Sequence, residues 1–270
     1  MEKKNRLIEK QKQLVEEKNK KITDSINYAK RIQQAILPSE KLIKSILPDS
    51  FVFFQPKDIV SGDFYWISSI NENNALIGAV DCTGHGVPGA LMSMMGYNLL
   101  EQVVKEHQIY EPAVILNELS KQIVGSLKQT DGYATVKDGM DIALCKINFQ
   151  NYELEYAGAH NSLYFIRNGI LTETKADSKP IGISTKSGSF SNHKIKLEKG
   201  DCFYVFSDGF ADQKGGTTNN KFFYQPFREL LVRIHQLPMK EQHAQLEAVM
   251  NKWKGDKEQI DDMLVIGVSI

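Results

Sequence analysis

The sequence has few cysteines, and their spacing excludes two kinds of site. Its three cysteines, Cys82, Cys145 and Cys202, lie far apart and form no C-x-x-C pair. A structural zinc site needs closely spaced cysteines, and a disulfide framework needs an even number of them. Because unpaired thiols are typical of a reducing compartment, the sequence predicts a cytoplasmic protein.

Long apolar runs and an excess of one charge are also missing. No segment approaches the roughly 18 apolar residues of a membrane span, and the start, MEKKNRLIEKQK, holds no apolar signal-peptide core. Basic and acidic residues balance at 33 each, and residues 1–50 carry twelve basic against seven acidic side chains. That excess is too small for the basic face of a nucleic-acid-binding protein. We therefore expect neither a membrane span nor nucleic-acid binding.

The N-terminal residues differ in composition from the rest of the chain. Residues 1–36 hold no proline or glycine and are rich in Lys, Glu and Gln, which favours a helix that Pro38 ends. The 270 residues, 41% of them apolar, suffice for one large core with an appendage. The sequence thus predicts a helical linker or regulatory segment over residues 1–48 and one domain over residues 49–270.

Apolar residues recur every seven positions in the N-terminal segment, at Ile8, Val15, Ile22, Ala29 and Ile36. A coiled coil needs a second apolar position in each heptad. Here that position is polar at Gln11, Lys18 and Ser25, and becomes apolar only at Ile32. Two interpretations stay open: a homodimer through this helix, or a helix that packs on its own domain or continues the helix of an upstream partner.

From about residue 50 the sequence changes to short apolar and β-branched runs between Gly, Asn and Asp, which indicate strands. Strands are expected over residues 51–54, 63–70, 75–81, 141–148, 152–158, 162–167, 202–207 and 263–269. Helices are expected over residues 88–107, 111–129, 226–236 and 239–253. This order of elements indicates an α+β fold with mainly antiparallel sheets.

Acidic residues stand at the edges of four predicted strands: Asp63 in IVSGDFYWI, Asp81 in AVDCTGHG, Asp208 in YVFSDGFAD, and Asp261 with Asp262 in QIDDMLVIGV. A single Asp before Gly is most often a turn residue, but this repeated context indicates one shared site. Carboxylate and carbonyl oxygens without a His or Cys cluster suit Mg²⁺ or Mn²⁺. Two such ions ~3.5 to 4 Å apart can activate a water for in-line attack on phosphorus. The sequence therefore predicts metal-assisted phosphoester hydrolysis.

Five strings carry a family resemblance: FQPKDIVSGDFYWI, VDCTGHGVPGALMSMMG, YAGAHNSLYFIRNG, FSDGFADQ and DDMLVIGV. Over about residues 50–270 the chain resembles the SpoIIE-type branch of the metal-dependent protein phosphatases, the protein phosphatase 2C superfamily. The resemblance implies an αββα sandwich of two antiparallel sheets flanked by helices. It also implies a bacterial phosphoserine/phosphothreonine phosphatase that acts on a STAS-type anti-anti-sigma protein in partner switching, downstream of a sensor or regulatory partner.

The resemblance assigns the metal ligands as well. It implies that Asp81 bridges two Mn²⁺ or Mg²⁺ ions and that the carbonyl oxygen of Cys82 is a further ligand. Asp208 and Asp261 would hold one ion, and Asp63 would ligate directly or through water. Asp81 and Asp208 are thereby expected to be essential for catalysis.

Three neighbouring residues each have two interpretations. Asp262 is the alternative to Asp261 as a ligand, and we prefer Asp261. His85 is either the general acid that protonates the leaving serine oxygen or a structural turn residue. Lys57 is either a phosphate-binding cation or an ordinary surface lysine.

A non-catalytic phosphoprotein-binding module on the same fold is the rival function. All the acidic positions are filled here, whereas a degenerate scaffold is expected to have lost one or more of them. His160 and Asn161 are expected to brace a loop rather than touch substrate. The N-terminal helix, together with the helices over 88–107 and 111–129, is a candidate regulatory switch, because the first of these two follows directly from the Asp81 turn.

Overall fold

The structure is a computed structural model and describes residues 2–129, 138–217 and 219–270. It divides into two compact units, the N-terminal helix α1 (Glu2–Ile36) and the unit Leu37–Ile270. Within the described ranges, no helix is both long enough and apolar enough to cross a membrane.

Helix α1 confirms the helix expected from the N-terminal composition. It is continuous over 35 residues, and Lys21 pairs with Glu17 one turn away at 2.6 Å. Five apolar side chains along it are more than half exposed: Leu7, Ile8, Leu14, Val15 and Ile22. The coiled-coil dimer itself stays a prediction.

Two five-stranded sheets form the centre of the second unit. The first has the strand order β1 (Ser50–Gln55), β12 (Met263–Ser269), β9 (Cys202–Phe206), β6 (Leu163–Arg167) and β7 (Ile170–Thr174). The second has the order β2 (Phe64–Asn71), β3 (Asn74–Cys82), β4 (Met140–Asn148), β5 (Glu153–Ala159) and β8 (His193–Lys196). Every neighbouring pair in both sheets is antiparallel, which confirms the predicted sheet type.

Helices flank the two sheets. They are α2 (Glu40–Ile46), α3 (Gly86–Glu101), which continues as the π-helical segment Gln102–Glu106, α4 (Pro112–Ser126), α5 (Gly209–Asp212), α6 (Tyr224–Ile234) and α7 (Met239–Lys254). Of these, α2 places Ile43 in the apolar cluster between the sheets rather than on an outer face. A short ribbon, β10 (Lys214–Gly215) with β11 (Asn220–Lys221), follows α5.

Three apolar cores hold these layers together. Between the sheets, buried residues such as Ile77 of β3 pack in one cluster with Leu264 of β12. On the outer face of the second sheet, Trp66 shares a core with Leu119 of α4. On the outer face of the first, a third core is formed by residues such as Leu246 of α7. The chain is therefore an αββα sandwich, as expected.

The structure adds elements that the sequence patterns did not indicate. Helix α2 is only 7 residues long, too short to show helical periodicity. Strand β7 follows the Asn168–Gly169 turn, where both residues have positive φ. Asn-Gly is a strong hairpin signal, so the hairpin that joins β6 to β7 was available from the sequence. The helix expected over 88–107 changes at Gln102 into the π-helical segment.

Candidate metal and active site

A pocket of about 350 Å³ opens where the ends of both sheets meet. It is lined by Asp81, Cys82, Thr83, Gly84, His85, Gly139, Met140, Asp141, His160, Pro180, Gly182, Ile183, Asp208 and Asp261. Asp81 lies at the end of β3, Asp208 follows β9, and Asp261 precedes β12. The structure thus brings together three of the carboxylates that the sequence assigned to one site.

The surroundings of Asp81 and Asp208 raise the pKa of both carboxyl groups. Burial raises the pKa of Asp81 well above its ordinary value, and the nearby charges of Asp208 and Asp261 raise it further. Burial also raises the pKa of Asp208 to about 6, with Asp212 and Asp261 acting in the same direction. Carboxylates that repel one another in a buried place are strongly favoured partners for a cation.

Asp63 lies directly before β2 and is not one of the residues that line the pocket. It is buried, and its Oδ2 atom has no hydrogen-bond partner among the described residues. Burial and then the charge of Asp81 raise its pKa well above the ordinary value, while a hydrogen bond from Ser207 lowers it. A buried carboxylate oxygen without a partner is costly, and a metal ion or its bound water would satisfy it.

Asp261 and Asp262 face different surroundings although they are adjacent. Asp261 lines the pocket, whereas the Asp262 carboxylate accepts the backbone N–H of Lys57 and of Gly62, each at 2.7 Å. Asp262 is thus engaged in holding the loop that carries Asp63. This arrangement supports the preference for Asp261 as the ligand.

Close backbone contacts shape the turn after β3. A Cβ atom at Gly62 would lie 2.3 Å from the carbonyl oxygen of Gly84, and one at Gly89 would lie 2.2 Å from the same oxygen. Gly84 has a φ of +85°, a conformation that glycine adopts without strain. The Cys82 thiol is buried and its pKa is raised, chiefly by burial, so only its backbone carbonyl is suited to a hard cation.

His85 lies at the pocket rim between two charged residues. Its Nδ1 atom is 2.7 Å from Oδ2 of Asp58, and its Nε2 atom is 2.9 Å from Nζ of Lys57. Because ammonium can only donate, Nε2 accepts from Lys57 and Nδ1–H donates to Asp58. These contacts orient the ring and hold the Lys57 ammonium beside the pocket.

Asp141 and His160 complete the opposite wall. Asp141 pairs with Asp81 in the β3–β4 register, and its Oδ1 atom is 3.0 Å from Nδ1 of His160. Asp141 was not predictable as a site residue, because one polar residue in an apolar strand carries no distinctive pattern. Its register position opposite Asp81 is visible only once the strands are paired.

The donor chemistry of the pocket fits a hard divalent cation. Its side chains offer carboxylate oxygens, and Asp63 adds a partnerless one. Among the described residues, however, no three His, Cys, Asp or Glu side chains converge closely enough to enclose an ion by themselves. Mg²⁺ keeps several of its waters and uses few direct carboxylate ligands, so this open arrangement suits it better than it suits zinc.

Comparisons with known proteins agree with this architecture. The family model described as Stage II sporulation protein E (SpoIIE) matches residues 71–270. The SiaA-PP2C domain of Pseudomonas aeruginosa is 33% identical, with a TM-score of 0.84 over 93% of this chain and 98% of that domain. RsbX in complex with magnesium shares the fold at 14% identity, with a TM-score of 0.56 over 82% of this chain and 94% of that one.

A curated relative, phosphoserine phosphatase RsbP of Bacillus subtilis, is 25% identical over 192 residues, which are 69% of this chain and 45% of the relative. The chain therefore spans less than half of that protein. Family match, close structural likeness and the arrangement of the pocket agree: the chain belongs to the SpoIIE family, with a PP2C-type fold.

Proposed function

We propose that this chain is a Mn²⁺- or Mg²⁺-dependent protein phosphatase that hydrolyses phosphoserine or phosphothreonine. The observation that carries the proposal is the pocket at the ends of the two sheets, where three half-buried carboxylates, Asp81, Asp208 and Asp261, come together and raise one another's pKa. Support comes from the relative described as a phosphoserine phosphatase and from the magnesium complex of RsbX.

In this proposal the pocket carboxylates hold two ions. Asp81, Asp208 and Asp261 would hold them, together with the Cys82 carbonyl and with Asp63 directly or through water. When bound, such ions acidify a water and neutralise phosphate charge. Partial burial of Asp81, Asp208 and Asp261 strengthens these electrostatic interactions relative to those on an open surface.

Lys57 places a positively charged side chain at the rim of the pocket. Its ammonium is held by Nε2 of His85, which Asp58 orients in turn. A fixed ammonium at the mouth of an acidic pocket suits a phosphate dianion, which would otherwise be repelled by the carboxylates. We propose that Lys57 binds the substrate phosphate and that His85 positions it.

The substrate and regulation are proposed from the family context. A STAS-type phosphoprotein in partner-switching signalling is the proposed substrate, in the cytoplasm, and residues 1–48 are the proposed regulatory segment for an upstream partner. The domain over residues 49–270 carries every residue assigned to the site. The π-helical segment at the end of α3 is a structural irregularity of the kind often found at functional positions.

Hydrolysis of p-nitrophenyl phosphate and of a phosphoserine STAS protein, with Mn²⁺ and with EDTA, tests the proposal. Wild type should turn over both substrates with Mn²⁺, lose activity in EDTA, and lose it in Asp81→Asn and Asp208→Ala. Lys121→Ala, an exposed residue of α4, is the matched control and should retain activity. Mn²⁺ binding without turnover in the wild type would favour the non-catalytic phosphoprotein-binding module.

A further inference from the structure

We propose that His160 is the general acid of this site, donating the proton from Nε2 to the leaving serine oxygen, and that Asp141 positions it. This inference rests on the proposed phosphatase function and adds a catalytic residue to it. It assigns to His160 a chemical role in place of the loop-bracing role that the sequence suggested.

His160 and Asp141 lie in the proposed active site. They line the same pocket as Asp81, Asp208 and Asp261. Asp141 stands directly opposite Asp81 on neighbouring strands, so the pair lies beside the proposed bridging ligand. The wall of the pocket formed by β4 and the end of β5 therefore presents the His160 imidazole to a leaving group.

Asp141 orients the imidazole ring of His160. Nδ1 of His160 faces Oδ1 of Asp141 at 3.0 Å, which directs Nε2 away from that carboxylate. With Nδ1 engaged by Asp141, Nε2 is the ring nitrogen left to face the pocket that His160 lines. The His160 side chain is 42% exposed and that of Asp141 34%, so the pair opens to the pocket and keeps access to solvent. A carboxylate at one ring nitrogen stabilises the charged ring and fixes its orientation.

The backbone of His160 has an uncommon conformation. His160 has a φ of +56°, a left-handed conformation that few non-glycine residues adopt. The surroundings impose it: the His160 N–H donates to the Asp177 carbonyl at 2.9 Å, and the Tyr156 hydroxyl donates to the Asn161 carbonyl at 2.6 Å. Tyr156 is completely buried. Backbone strain that is held in place in this way concentrates at functional sites.

The other histidine of the pocket is differently engaged. Both ring nitrogens of His85 have charged neighbours, with Nδ1 facing Asp58 and Nε2 facing Lys57. With Lys57 bound, Nε2 of His85 carries a lone pair and has no proton to give. His160 is therefore better placed than His85 to protonate a leaving group.

Water attacks phosphorus in line and releases one of its protons to solvent. The bond between phosphorus and the serine Oγ breaks, and its electron pair passes to Oγ. The Nε2 proton of charged His160 moves to Oγ, which leaves as a neutral hydroxyl together with inorganic phosphate. The ring remains bonded to Asp141 through Nδ1–H and regains its proton from solvent.

The test is a leaving-group series with Mn²⁺: p-nitrophenyl phosphate, phenyl phosphate and a phosphoserine peptide. A good leaving group such as p-nitrophenolate needs no proton, whereas a basic one does. For His160→Gln we expect turnover of the poorer leaving groups to fall by about 100-fold or more, with p-nitrophenyl phosphate little changed. Retained p-nitrophenyl phosphate turnover also shows that this variant is folded.

Two further variants separate positioning from acid catalysis. Asp141→Asn keeps an acceptor for the Nδ1–H of His160 but loses the negative charge. It should increase the dependence of turnover on leaving-group basicity, but by less than His160→Gln does. His85→Gln should lower turnover of all three substrates alike, because it affects phosphate binding through Lys57. An equal loss on every substrate in His160→Gln, or no loss, would refute the acid role. A wild type without Mn²⁺-dependent turnover would instead overturn the proposed function and the inference with it.

Discussion

The carboxylate of Asp262 accepts the backbone N–H of Gly62 at 2.7 Å across 200 residues of sequence. Its second oxygen accepts the N–H of Lys57 at the same distance. The last strand of the first sheet thereby fixes the loop that carries both Lys57 and Asp63. The carboxylate of the adjacent Asp261 accepts the neighbouring N–H of Asp262 at 2.9 Å and lines the pocket instead of holding that loop.

Substitution of these two residues should therefore have opposite consequences. Asp262→Ala leaves two backbone donors without an acceptor and should lower the free energy of unfolding by about 1 to 3 kcal/mol for each buried one. Asp261→Ala removes a repelling charge and should leave the metal-free stability unchanged or raised, while weakening Mn²⁺ binding. Urea unfolding in EDTA and Mn²⁺ titration measure the two effects. Equal destabilisation by both variants would contradict this division of roles.

The pKa of Asp208 predicts the pH dependence of the metal-free protein. Burial raises that pKa from 3.8 to about 6, so between these values the folded chain binds more protons than the unfolded chain. The free energy of unfolding should then fall as pH rises from about 4 to about 6. Asp63 and Asp81 shift in the same direction.

Chemical denaturation in EDTA across this pH range measures the effect. Asp208→Asn does not titrate and should have a shallower slope than the wild type. With saturating Mn²⁺ the slope should weaken or reverse, because a bound cation favours the ionised carboxylates. Metal-free stability that rises through the window would contradict the assigned direction of the shift.

The fold was largely predictable because its local patterns agree with one another. Strand periodicity, turn residues and a proline at the start of α4 all indicate the same elements. The pocket carboxylates Asp81, Asp208 and Asp261 were also identifiable, since each occupies a distinctive string at a strand edge. What could not be predicted depends on pairing: Asp141 meets Asp81 only through the β3–β4 register, and Asp262 meets Gly62 only in the folded sandwich.

Close backbone packing makes Gly62 and Gly89 sensitive to a single methyl group. A Cβ at either position would lie within 2.3 Å of the Gly84 carbonyl oxygen, so Gly62→Ala and Gly89→Ala should displace the turn that follows Asp81. We expect both to reduce Mn²⁺ affinity and turnover. Gly125→Ala in α4 is the matched control, since a Cβ there meets no atom within 4 Å.

In that control, alanine should raise the free energy of unfolding by about 0.5 to 1 kcal/mol, because it favours a helix over glycine. Calorimetric titration of Mn²⁺ and thermal unfolding compare the three variants. Wild-type Mn²⁺ affinity in Gly62→Ala would show that the turn tolerates the displacement and that its geometry does not determine binding.

The exposed apolar side chains of α1 allow a direct test of the predicted dimer. Ile8, Val15 and Ile22 are each at least half exposed and recur every seven residues, as the core positions of a coiled coil do. Replacing all three with glutamine preserves helix propensity but removes the apolar seam. We expect wild type to have the mass of a dimer by light scattering, and the triple variant to be monomeric with an altered phosphatase rate.

A control with alanine at Gln11, Lys18 and Ser25 separates loss of the seam from a general effect on the helix. These residues occupy the polar positions of the same heptads, so alanine should keep or strengthen the dimer. If wild type and the glutamine variant have the same mass and rate, α1 neither dimerises nor regulates through this face. If only the rate changes, the seam contacts something other than a second copy of α1, as expected for a helix that packs on its own domain.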